Sequence, residues 1–173
     1  MSEGKVSEGK MSEGRSSESR PSVGVRRKAR EFAFRVLFES EQGSTDLNHA
    51  WEHAKAELAT LEEGKSRDDE PNNDALDGEA ITFAHRLVLG YDEKRYEVDQ
   101  TLERVIEGWT FGQMSKTDLA MLKLASYEMM FLDTPHAPVI EVAVRIAKKF
   151  GGEESGKFVN GVLAKLKRQL ETV

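Results

Sequence analysis

The 173-residue sequence predicts an all-α protein of about seven helices in packed three-helix units. Three observations point there. From about Arg26 onward, apolar residues recur at helical spacing, with no convincing strand alternation. Glycines, a proline and a capping sequence fall where these segments should start and stop. One segment, 116–132, is apolar nearly all round: Leu119, Ala120, Met121, Leu122, Leu124, Ala125, Tyr127, Met129, Met130, Phe131 and Leu132. A helix with no polar face belongs at the centre of a bundle.

The first predicted helix, 26–42, gathers Ala29, Phe32, Ala33, Val36 and Leu37 into one broad face and stops at Gly43. The second covers 45–61. An acidic run, 62–74, containing Pro71-Asn72-Asn73, follows as a solvated loop. Helices at 75–90 and 92–107 come next, with Gly90 as the stop between them. Ser115-Lys116-Thr117-Asp118 has the form of a capping box opening 116–132. Pro138 suits the first turn of a helix at 138–150, which ends before Gly151. There Val139, Val142, Ala143, Ile146 and Phe150 face one way, and Glu141, Arg145 and Lys148 the other. The last helix, 155–171, buries Val159, Val162, Leu163, Leu166 and Leu170. Its Asn160-Gly161 pair interrupts an apolar face. Glycine in a helix interior costs up to ~1 kcal/mol relative to alanine. The pair therefore predicts a second backbone packed closely on Gly161. Asn160 would then pin the helix to a neighbouring backbone or contact a ligand.

Residues 1–25 form a tail ahead of a single domain, 26–173. The first twenty residues are a degenerate five-residue repeat, Met-Ser-Glu-Gly-Lys onward, with too little apolar surface to offset the entropy of ordering. The N-terminus has no apolar signal region, and no run approaches the ~20 apolar residues of a membrane span. The chain has no cysteine, which excludes disulfides, thiolate catalysis and Cys-based zinc sites and fits a cytoplasmic protein. The net charge of −6 resides in one segment: residues 62–79 carry eight carboxylates against Lys65 and Arg67. The remainder is neutral overall with local basic clusters, and local field decides phosphate binding.

The strongest of these clusters opens the first helix: Arg26, Arg27, Lys28 and Arg30. At 100° per residue, Arg27, Phe34 and Phe38 lie roughly opposite the main apolar face, with Arg30 at the margin. Guanidinium groups pair with phosphates and aromatic rings stack on unpaired bases, so the pattern suits a platform for single-stranded RNA. A helix buried on two sides with a solvated basic start also fits it, as does a dimer interface through Phe34 and Phe38. Lys148, Lys149 and Lys157 bracket the Gly151–Gly156 loop, where a following helix offers free N–H groups to a phosphate, though Glu153 and Glu154 oppose an anion. His49-Ala50-Trp51-Glu52-His53 matches an inverted zinc-protease motif, but no second acidic motif supplies a further ligand, and a surface histidine pair accounts for it. There is no phosphate-binding glycine loop and no catalytic constellation. No enzymatic activity, cofactor or metal is expected.

Three segments together carry a family resemblance. They are Arg26-Arg27-Lys28-Ala29-Arg30-Glu31-Phe32-Ala33, Leu122-Lys123-Leu124-Ala125-Ser126-Tyr127-Glu128, and 138–163 with its Phe158-Val159-Asn160-Gly161-Val162-Leu163 signature. Over roughly 26–170 the chain resembles the NusB family of bacterial transcription antitermination factors. The resemblance implies two three-helix-bundle subdomains. It also implies binding of boxA RNA in nascent ribosomal RNA leaders, together with the small-subunit ribosomal protein NusE, in an antitermination complex with RNA polymerase. By motif position, RNA contacts would come from Arg26, Arg27, Lys28 and Arg30; the helix-face and loop readings above add Phe34, Lys148 and Lys157 as candidate RNA contacts. Phe38, Asp118, Glu154 and Phe158 would lie on the partner surface. Phe38 stands where a tyrosine can occur, and Glu154 where an aspartate can. A homodimer is compatible with the resemblance. So is a targeting module like the one preceding the catalytic domain of some RNA cytosine methyltransferases, although the chain reaches Val173 without such a domain.

Overall fold

The computed structural model describes residues 23–63, 76 and 78–172. The repeat at 1–20 and most of the acidic run lie outside them. The described residues form seven α-helices and no strand. The helices are α1 (Val23–Gly43), α2 (Leu47–Glu63), α3 (Gly78–Glu93), α4 (Arg95–Val105), α5 (Lys116–Phe131), α6 (His136–Gly151) and α7 (Glu153–Glu171). A single 3-10 turn, Phe111–Gln113, precedes α5.

Helices α1, α2 and α3 pack on one another as one bundle; α5, α6 and α7 make the second, and α4 lies against α5 and α7. The two bundles meet at α1 and α5. Helix α5 touches α1, α3, α4, α6 and α7, and every residue from Leu119 to Met129 is buried. Each large apolar side chain so enclosed contributes about 1.5–3 kcal/mol of transfer free energy. The all-round apolar pattern of the sequence thus has its cause in the five neighbours of this helix.

Two charged residues nevertheless sit in that buried stretch, and a buried charge needs a partner. Glu128 is 1% exposed and accepts two hydrogen bonds from Arg30, Nε at 2.8 Å and Nη2 at 2.6 Å. The Lys123 ammonium lies 2.6 Å from Glu41 Oε1 and faces the rings of Tyr91 and Phe111. Both pairs run from α1 to α5, so they fix the register between the bundles. Beside them the Tyr91 hydroxyl donates to Asp99 at 2.9 Å. Burial first, and the Asp99 carboxylate second, push its pKa far up, so it stays a donor.

Local signals explain the helix ends, with two corrections. Ser115 caps α5, its hydroxyl accepting from the Asp118 N–H at 3.1 Å. Helix α6 includes Gly151, and it is Gly152, at φ +88°, that makes the turn into α7. Gly90 does not end a helix: α3 continues to Glu93, and a Cβ on Gly90 would collide with the Tyr127 ring. Glycine there makes room for an aromatic from α5. The close backbone approach expected at Gly161 is absent. A Cβ there would meet nothing within 4 Å, and Asn160 is exposed, so neither residue pins α7 to a neighbour. No helix among the described residues is long and apolar enough to cross a membrane.

Candidate nucleic-acid interface

Helix α1 is wedged between the bundles, and both of its broad faces are covered. Ala29, Phe32, Ala33, Val36 and Leu37 are buried. On the other side Phe34 is also buried, at 2% exposure, with its ring 5.1 Å from Phe150 of α6 and 5.9 Å from Phe38. What α1 leaves for solvent is a narrow stripe at helical spacing: Arg27, Glu31, Arg35 and Glu39.

That stripe is the floor of a groove of about 700 Å³. Helix α2 supplies one wall through Ala54, Glu57 and Leu58, with Leu76 beside it. Helix α6 supplies the other through Arg145, Ile146 and Lys149. Among the described residues, five cations (Arg27, Lys28, Arg35, Arg145 and Lys149) line the groove against three carboxylates. Three of these cations have carboxylate partners. Glu31 accepts from Arg35 at 3.2 Å and from Lys149 at 2.6 Å, joining α1 to α6. Arg145 is held by Glu141 at 3.2 Å. These are exposed pairs of small net stability, so their carboxylates can yield to a competing anion at little cost. Phe150 does not itself line the groove but is 40% exposed beside two residues that do, with the Arg35 guanidinium 5.3 Å and the Lys149 ammonium 5.4 Å from its ring centroid.

The expected RNA residues divide. Arg27 is exposed and Lys28 half-buried, both on the groove; Arg26 is half-buried and does not line it. Arg30 is a correction: at 5% exposure, with its fork closed on Glu128, it cannot reach a phosphate. Phe34 is a second correction, because a ring 2% exposed inside the bundle cannot stack on a base. The expected platform of basic residues beside Phe34 and Phe38 therefore does not exist, and a dimer interface through Phe34 fails for the same reason. Lys148 and Lys157 point elsewhere. They lie at the α6–α7 turn, paired with Glu153 at 3.3 Å and Glu154 at 3.7 Å.

The expected partner residues occupy other surfaces. Phe38 is half-buried against Phe34. Asp118 is half-buried in the first turn of α5, and its Oδ1 is enclosed without a hydrogen-bond partner among the described residues. That turn lies against the α6–α7 turn, since a Cβ on Gly151 would sit 3.5 Å from the Thr117 methyl. Glu154 is exposed, and Phe158 makes an edge contact at 5.9 Å with Trp109, a ring 55% exposed. His49 and His53 are exposed, with His53 between Glu39 and Glu57, and no metal-binding cluster occurs among the described residues.

Arg35, Arg145, Phe150 and Trp109 lie on or beside these surfaces without having been singled out as contacts, and Lys149 was read only as part of the basic cluster around Gly151–Gly156. A signal existed for Arg35, which follows Arg27 by eight residues and Glu31 by four on one helix stripe. None existed for Arg145, and the place of Arg145 and Lys149 on the groove depends on α6 packing beside α1.

The NusB family model matches residues 27–168. The transcription antitermination protein NusB of Deinococcus deserti is 49% identical over 150 residues, 87% of this chain and 84% of that one. A T. maritima NusB crystal structure superposes with a TM-score of 0.63 at 32% identity, covering 83% of this chain and 90% of that one. A chain from a crystal structure of the antitermination factors NusB and NusE in complex with double-stranded RNA shares the fold. Its TM-score is 0.67 at 23% identity, covering 84% of this chain and 97% of that one. The seven-helix, two-bundle architecture and these matches agree, and the chain belongs to the NusB family of transcription antitermination factors.

Proposed function

We propose that this antitermination factor binds boxA RNA of nascent ribosomal RNA transcripts through the α1–α2–α6 groove. It does so jointly with NusE, in a cytoplasmic complex with RNA polymerase that suppresses premature termination, and it catalyses no reaction. The observation that carries this is the groove itself: a surplus of cations on a chain whose net charge is −6. A local positive field attracts a polyanion whatever the overall charge. Arg27, Lys28, Arg35, Arg145 and Lys149 meet phosphates in this scheme, which fixes the strand without reading it. The surface of Asp118, Glu154, Phe158 and Trp109 receives NusE. That the solved NusB and NusE complex holds RNA supports a shared assembly.

Two incomplete surfaces on one RNA make binding by the isolated chain weak and by the pair tight, because the second contact becomes intramolecular. The test is a titration of labelled boxA RNA and a scrambled strand, with and without NusE, at several salt concentrations. A boxA preference that grows with NusE supports the proposal; equal binding of both strands in both conditions refutes it.

A further inference from the structure

We propose that Phe150 is a nucleobase-stacking residue, so that the groove takes an unpaired base as well as phosphates. This rests on the RNA-binding function proposed above and assigns a part of it. An exposed aromatic alone means little. Four large apolar side chains are exposed among the described residues: Tyr96, Trp109, Phe131 and Phe150. Their surroundings separate them. Tyr96 is engaged through its hydroxyl by Gln100. Trp109 has Phe158 at its edge and no cation over its ring among the described residues. Phe131 has Lys94 near it, and neither residue lines the groove. Only Phe150 is flanked by two cations that also line the groove, Arg35 from α1 and Lys149 from its own helix.

Its mounting suits stacking. The buried Phe34 ring backs it at 5.1 Å, and Phe34 in turn stacks on Phe38. A ring held from behind loses little freedom when a base covers it. Arg35 is the movable part. Its side chain is more than half exposed, paired with Glu31 and already resting over the Phe150 ring, so it can sandwich a base against Phe150 or turn to the adjoining phosphate. Phe34, expected to touch RNA, instead holds the ring that does. A duplex keeps its bases stacked on one another, so the ligand is a single strand.

The test compares the wild-type chain with Phe150→Leu and Phe150→Trp, using single-stranded RNAs carrying 2-aminopurine at successive positions, and a duplex of the same sequence. Stacking of one base changes affinity by roughly 5- to 150-fold. Phe150→Leu is expected to lose affinity in that range for the single strand, with an unchanged salt slope and no quenching at the one position quenched by wild type. Phe150→Trp restores both. Circular dichroism melts check that Phe150→Leu stays folded; if it does not, quenching by the wild type and by Phe150→Trp decides. Wild-type affinity and quenching in Phe150→Leu, or no position quenched by any folded variant, overturns the stacking assignment alone. A wild-type chain that binds neither RNA form overturns the RNA-binding function and this assignment with it.

Discussion

Arg27 and Arg30 stand three residues apart on α1 in a single basic run, and they have opposite roles. Arg30 lies inside, with both arms of its fork on Glu128 of α5. Arg27 lies outside, on the floor of an open groove. The same guanidinium is a structural bolt where water is excluded and a source of field where water remains. The difference shows why a basic cluster does not translate directly into a binding surface. A helix wedged between two bundles has only a stripe left for a ligand, and a cation off that stripe must be neutralised within the protein.

The largest test of this contrast is Arg30→Ala. It leaves the Glu128 carboxylate buried and unpaired, so urea denaturation should show a loss of about 3–5 kcal/mol. Replacing both partners, with Arg30→Met and Glu128→Leu, should recover most of it. A stable Arg30→Ala that has lost RNA affinity would reverse the assignment of that residue. Next in size is Trp109→Ala. Removing an exposed anchor at the Trp109–Phe158 edge should weaken NusE association by about 2 kcal/mol while RNA affinity of the isolated chain holds. Equal weakening of both would merge the two surfaces into one.

Arg27→Ala with Arg35→Ala addresses the outer stripe. Stability should stay within about 0.5 kcal/mol, since both side chains are exposed. The slope of log affinity against log salt should fall by about 1.4, at ~0.7 per single-strand phosphate contact. An unaltered slope would remove the stripe from the interface. The smallest expected effect is a gain. Gly161→Ala adds a methyl in open space inside a helix and should stabilise the protein by about 0.5–1 kcal/mol in a thermal melt. Destabilisation would restore the close contact that the Asn160-Gly161 pair suggested.

The helices were legible because periodicity is local. Leu119 to Met129 has no polar face, and no arrangement other than central burial accommodates it. The site was half legible. Arg27 and Lys28 were readable as basic residues at a helix start, and the geometry leaves them on the groove. Phe34 misled, because an aromatic opposite the main apolar face looks exposed until a second bundle is found covering it. Gly90 and Gly161 misled in a complementary way. Each has a plausible local cause, and only the neighbour across the gap, Tyr127 for one and nothing for the other, tells them apart.

By itself, then, the amino-acid order determined seven helices, their approximate limits, the central place of α5 and the family. All of these follow from spacing within one or two turns or from motifs read along the chain. Tertiary structure alone decided which cations face solvent, which ring stays exposed and which helices form the walls of the groove. Arg30 meets Glu128 across 98 residues of sequence, and Lys149 meets Glu31 across 118. Pairing at that range is set by how helices pack, and packing depends on shapes and burial that no local window contains.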